Sequence, residues 1–254
     1  MRGPICRPPL MPSQLFFTRF LNHLMAGPVD RAMALLHVTP TYAQAPINNT
    51  VAMGFLVFLL VLAYFVAIRL SLSVESPGPV QHIAEMTHEF VSSSGEQIIG
   101  HGYERFTNYL TVLLIYILCC NLIGLLMPWF ESPTENVTAP MGFALVTFVY
   151  YHYHGIRANG AGYIKQFLGP VWWLYPLLFP IEIISHLARI MSLTVRLYAN
   201  VFAGDLLILA FFSLVPIGIP VVFIGLHFGV DIIQAYVFFL LASIYLSLAV
   251  AHEH

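Results

Sequence analysis

The sequence predicts an all-α integral membrane protein of about five to six helices. Upright N-terminal spans and a surface amphipathic helix come first, and two long, strongly tilted C-terminal helices (or a helical hairpin) follow. Three observations predict this. Of 254 residues only 9% are charged and 59% are hydrophobic, with a mean hydropathy of +0.80, whereas soluble domains run near ~25% charged. Several apolar runs are long enough to cross a ~30 Å hydrocarbon core at ~1.5 Å per residue. The charges that exist, 10 Lys and Arg against 12 Asp and Glu, fall mostly between those runs. A polar-surfaced soluble enzyme, a basic nucleic-acid binder and an acidic disordered protein are excluded by the same numbers, since the net charge is -2 and Lys occurs only at Lys165.

The organisation divides into an N-terminal extracytoplasmic segment, 1–48, and a single membrane domain, 49–254. The first span runs from Val51 to Leu70. Residues 71–106 carry five Glu with Pro77 and Pro79, while Ile83-Ala84, Phe90-Val91 and Ile98-Ile99 recur every seven to eight residues. That spacing predicts a helix lying on the membrane surface. A second span covers Tyr109 to Trp129, and a third covers Ala139 to about Tyr151. The run from Leu174 to Pro216 would make a single helix of roughly 60 Å, twice the bilayer core, so it is a hairpin or one steeply tilted helix. The last run, Val221 to Val250, would span about 45 Å and tilts as well.

Basic residues flank the 71–106 segment (Arg69, Arg105) and follow span three (Arg157, Lys165), whereas the 131–138 loop has none. The positive-inside rule then puts the 131–138 loop outside and the N-terminus outside too. Arg2, Arg7, Arg19 and Arg31 argue against that orientation, and Met11 and Met25 are alternative starts. Cys6 and the Cys119-Cys120 pair have neither disulfide nor zinc spacing and read as buried thiols. His152, His154 and the terminal His252-Glu253-His254 read as surface groups, so no metal site and no cofactor are expected.

Ionisable groups inside a span cost about 2.5–3.5 kcal/mol each at the centre and mark function by default. Between Ile181 and Leu209 lie Glu182, His186, Arg189, Arg196, Asn200 and Asp205; the last run adds His227, Asp231 and Gln234. At about 100° per residue, Glu182, Arg189, Arg196 and Asn200 share one stripe with Ser192 on its flank, and Asp205 points the other way. His227, Asp231 and Gln234 stand at i, i+4 and i+7 on one face. Asp205 is therefore expected to turn toward that face and Arg196 toward something outside the chain. Arg196 cannot shed its proton and has no obvious neutralising partner in the sequence. His186 reads as a satisfied interfacial histidine.

The string from Ser192 through Arg196, Asn200 and Gly204 to Asp205 resembles the core motif of subunit a of F-type ATP synthases. So do Gln234-Ala235-Tyr236-Val237-Phe238 and Ile244-Tyr245-Leu246-Ser247 of the last helix, and Pro128 to Thr134. The resemblance covers about residues 48–250. It implies a proton-translocating stator subunit, not catalytic by itself, set against a ring of c subunits and a b-type peripheral stalk within the ATP synthase. It implies two offset half-channels, with Arg196 facing the ring, driving its carboxyls to ionise and blocking leak. Asn200, Asp205, His227 and Gln234 match the outer half-channel; Asp231, one turn from His227, is a further candidate that the resemblance does not supply. Glu182, Arg189 and Ser192 are weaker exit-side candidates. Asp205 stands where Glu is usual, Ala199 where Gly is common and Ile190 where Pro is common. The implied setting is lipid, in a bacterial inner membrane rather than a mitochondrial one.

Two rival readings were open to the residues. A proton-coupled secondary transporter with Arg196 and Asp205 at its substrate site would show internal repeats, and the two halves show none. An intramembrane enzyme or haem-binding redox subunit would carry HExxH or His pairs at matching depth on facing spans, but His88-Glu89 is followed by Phe90-Val91-Ser92 and no such pair recurs.

Overall fold

Local sequence signals explain where each helix starts and stops. Asn48, in extended conformation, caps helix α2 (Asn49–Ser71) by accepting the Asn49 backbone N–H at 2.8 Å. Pro79 opens α3 (Pro79–Ile99), where its missing N–H costs nothing, and Gly100 at φ 77° ends it. Helix α4 covers Glu104–Gly124. A 3-10 turn, Pro133–Glu135, is capped by the Ser132 hydroxyl, which accepts the Thr134 N–H. Helix α5 (Thr138–Asn159) stops at Gly160, φ 55°, whose N–H closes on the Ile156 carbonyl. Two long helices finish the chain, α6 (Tyr175–Leu214) and α7 (Ile219–Val250). The computed structural model describes residues 15–35, 46–72, 78–126, 130–160, 162–163, 175–214 and 218–250. Lys165, Cys6, Met11, Arg2, Arg7 and the His252–His254 tail lie outside the described residues.

Seven α-helices are present among the described residues, more than the five to six expected. The extra one is α1 (Phe16–Leu35) in the segment read only as an extracytoplasmic extension. It is tied to the start of α2 by a reciprocal pair: Asn22 Nδ2 donates to the Ile47 carbonyl and the Ile47 N–H donates to Asn22 Oδ1, both at 3.1 Å. The 174–216 run resolves as one 40-residue helix rather than a hairpin. At ~1.5 Å per residue α6 is about 60 Å long. The second span ends at Gly124, short of Trp129.

Helices α2, α4, α6 and α7 are long and apolar enough to cross a membrane. Helix α5, expected as a span, has the length at 22 residues but ends in a polar stretch through His152, His154 and Arg157. The surface helix α3 keeps Ile83 and Met86 exposed, while Phe90 meets Tyr236 and Phe239 of α7 at ring distances of 5.8 and 6.3 Å.

Helix α7 is the hub and packs against α3, α4, α5 and α6. Ala235, Ala242 and Ala249, seven apart, are all buried. Such small side chains let neighbouring backbones approach closely where no hydrophobic force separates helix from lipid. Leu110 and Ile117 of α4, Tyr151 of α5, Leu197 of α6 and Phe238, Phe239 and Leu246 of α7 fill the core around them. Helix α6 is buried on one side only: Leu193, Leu197, Val201 and Asp205 face in, and Met191, Val195, Phe202 and Leu206 face out.

Candidate functional site: a buried carboxylate–histidine cluster beside an exposed arginine

Asp205, nine residues past Arg196, turns inward as its helical phase predicts. Its Oδ1 lies 3.7 Å from His227 Nε2, and the same nitrogen lies 3.6 Å from Asp231 Oδ2. Asp205 is 4% exposed, His227 5%, Gln234 4% and Asp231 0%. These values matter because, among the described residues, Asp205 Oδ2, both Asp231 carboxylate oxygens and Gln234 Nε2 make no hydrogen bond. Buried polar groups normally have partners, so four atoms without a hydrogen bond in one place set this cluster apart from the rest of the core.

Close approach of α6 and α7 is what brings the cluster together. A Cβ at Gly204 would overlap the His227 imidazole at Nδ1 and Cε1. Gly204 is therefore a spacing residue, and the ring lies with its Nδ1 edge on the α6 backbone and its Nε2 edge toward the acids. One turn away, Asn200 Nδ2 donates to Gln234 Oε1 at 2.7 Å and joins the two helices again.

A cavity of about 440 Å³ reaches Asp205 and is lined by Phe130, Glu131, Phe212 and Ile224 among others. Glu131 accepts from Asn49 Nδ2 at 3.2 Å. Nearby Glu135, outside the spans, has its pKa raised by partial burial and then by the Glu131 carboxylate. The cavity thus links the 131–135 loop, which carries no positive charge, to the first buried carboxylate.

The predicted stripe of Glu182, Arg189, Arg196 and Asn200 divides in the structure. It runs along the margin of the buried side of α6, so a few tens of degrees decide each residue's fate. Asn200 goes to Gln234. Arg189 packs its guanidinium over the Tyr245 ring, 5.1 Å from the centroid. Glu182 Oε1 lies 3.4 Å from His186 Nε2, and His186 Nδ1 pairs with the Tyr151 hydroxyl at 3.0 Å. These groups line a separate polar cavity of about 120 Å³ between α5, α6 and α7. Arg196 alone of the stripe stays exposed, with Ser192 Oγ accepting from Nη2 at 3.4 Å. Ser192, Ala199 and Ala203 beside it are exposed too, so small side chains surround the cation.

Sequence reasoning missed a second polar network. Thr134 Oγ1 donates to Asn121 Oδ1 at 2.9 Å, Asn121 Nδ2 donates to the Asp231 carbonyl at 3.4 Å, and Ser132 Oγ donates to the Cys120 carbonyl at 2.9 Å. Asn121, Ser132 and Thr134 are all buried. It fastens the 3-10 turn and α4 to α7 at Asp231. The available signal was Asn121, a lone amide inside an apolar run. Thr134→Val leaves Asn121 Oδ1 buried without its donor and is expected to cost about 1–3 kcal/mol. An earlier thermal transition of the purified membrane complex measures it; an unchanged transition removes the network from the stabilising set.

Residues 49–247 match the family described as ATP synthase A chain. The chain belongs to that family. An ATP synthase subunit a from Koribacter versatilis is 59% identical over 245 residues, covering 96% of this chain and all of the relative. One from Solibacter usitatus is 40% identical over 236 residues, 92% of this chain and again the whole relative. A third, from Oleidesulfovibrio alaskensis, is 43% identical over 184 residues, 70% of this chain and 76% of its own length. The family match begins at Asn49, at the capped start of α2, and leaves α1 outside it.

Proposed function

We propose that this chain is the proton-translocating stator subunit of a rotary F-type ATP synthase, itself without catalytic activity. In this reading it sits in a bacterial inner membrane against a ring of carboxyl-bearing c subunits, held by a b-type peripheral stalk. The observation that carries the reading is the placement of Arg196: a permanent cation exposed on the open, otherwise apolar side of α6, with the buried acid–histidine cluster behind it. A guanidinium in such a place needs a carboxylate from outside the chain to balance it. The small residues around it let a partner helix approach.

Protons from the outer side reach Asp205 through the cavity at Glu131 and pass by His227 toward Gln234 and Asn200, close to the Arg196 face. At the ring, the fixed positive charge of Arg196 favours the ionised form of each passing carboxyl and so expels its proton. The same charge repels hydronium, so the two sides communicate only by way of the turning ring. The polar cavity of Glu182 and Arg189, with Ser192 beyond it, supports an exit path on the opposite side.

The direct test is purification of the tagged chain from membranes in mild detergent. It is expected to bring down a ring of small two-span subunits with one mid-membrane carboxyl each, together with stalk subunits. Recovery of the chain free of such a ring, from membranes that contain one, overturns the reading.

A further inference from the structure

We propose that Asp231 is a second proton-carrying carboxylate of the inlet, and that His227 passes protons from Asp205 to Asp231 through one and the same nitrogen, Nε2. The inference rests on the stator reading and extends it to a residue outside the motif that carries the resemblance.

Three observations support it. Nε2 lies 3.7 Å from Asp205 Oδ1 and 3.6 Å from Asp231 Oδ2, so the two acids flank a single ring atom almost symmetrically. Asp231 is wholly buried, and neither carboxylate oxygen has a hydrogen bond among the described residues. A carboxyl group kept there for structure would be paired. The Nδ1 edge of the ring is pressed on Gly204, with no room for even a methyl group between them. Both acid contacts of the ring are at Nε2, on the edge away from Gly204.

The step balances as follows. The O–H bond of protonated Asp205 breaks and an N–H bond forms at Nε2, leaving an Asp205 carboxylate and an imidazolium that keeps its Nδ1–H. The Nε2–H bond then breaks and an O–H bond forms on Asp231, restoring neutral imidazole. Asp231 then releases its proton onward toward Gln234 and Asn200, which returns it to the carboxylate form, and Asp205 takes its next proton from the cavity at Glu131. Each transfer needs a side-chain shift of less than about 1 Å to reach charge-assisted hydrogen-bond distance. The network from Thr134 through Asn121 to the Asp231 carbonyl holds the α7 backbone still at the receiving end.

The test uses the whole complex reconstituted in vesicles, with passive proton flux through the membrane sector driven by a potassium diffusion potential. Asp231→Asn keeps shape and removes the titratable group; flux is expected to fall by roughly tenfold to a hundredfold. Asp231→Glu keeps the carboxyl and is expected to retain most of the flux. Asp231→Thr is a second non-ionisable variant should the Asn form not assemble, with the same loss expected. Wild-type flux in a non-ionisable variant overturns the proposal, as does an Asp231→Glu form impaired as badly as Asp231→Asn. Arg196→Ala, assayed beside them for ATP-driven pumping, separates the two levels: normal pumping there sinks the stator reading itself, whereas loss of pumping there with full passive flux in Asp231→Asn sinks only the relay.

Discussion

Arg196→Ala is expected to abolish ATP-driven proton pumping in inverted membrane vesicles, while ATP hydrolysis by the detached soluble sector continues at its wild-type rate. Arg196 is exposed and, among the described residues, hydrogen-bonded only to Ser192, at 3.4 Å, so its removal takes little from the fold. Its loss is felt instead by the partner carboxyl. Two unit charges 4 Å apart attract by about 4 kcal/mol at an effective dielectric near 20, which is worth about three powers of ten in an ionisation equilibrium. In the proposed stator role, a ring carboxyl without that bias keeps its proton as it passes, and rotation is no longer tied to release. Arg196→Lys restores the charge but not the planar fork, and recovers little where the guanidinium's geometry matters. Normal pumping by Arg196→Ala refutes the role.

Gly204→Ala is expected to reduce proton flux by roughly tenfold to a hundredfold, the range that an ångström of misplacement produces at a reacting centre. The added Cβ overlaps the His227 imidazole, so either the ring or the α6–α7 spacing gives way. Overpacking of this kind also costs about 1–3 kcal/mol of stability. Either movement withdraws Nε2 from Asp205 and Asp231, now 3.7 and 3.6 Å away. Gly142→Ala in α5 is the control, since its Cβ meets nothing within 4 Å and Ala is the better helix former. Equal flux in the two variants would show that the close approach at Gly204 has no bearing on conduction.

Much of this was legible in the chain. Hydropathy and length found the apolar helices, and the seven-to-eight-residue recurrence found α3. The nine-residue step from Arg196 to Asp205 placed them on opposite sides of α6, and the i, i+4, i+7 pattern gathered His227, Asp231 and Gln234. Periodicity failed where a margin had to be resolved: Arg189 and Arg196 differ by only about 20° on the helix, yet one covers Tyr245 and the other faces outward. The amphipathic period of α1, nearly as strong as that of α3, went unused in a segment read only as an extension, and periodicity could not choose between hairpin and single helix over 175–214. Pro176, Pro180 and Gly204 lie within the run, and none of them by itself marks where a hairpin would turn.

The sequence by itself determined that the chain lives in lipid, which residues are too polar to be there by accident, and which side of its own helix each of them occupies. Those are properties of composition and of a 3.6-residue period. Only the tertiary structure decided that one imidazole nitrogen lies within 4 Å of two carboxylates, that Gly204 sets the approach of α6 to that ring, and that Asn121 and Thr134 pin Asp231 from another helix. Each of these depends on the separation and rotation of α6, α7 and α4 relative to one another. Those quantities are set by packing summed over many side chains, and no single stretch of the sequence encodes them.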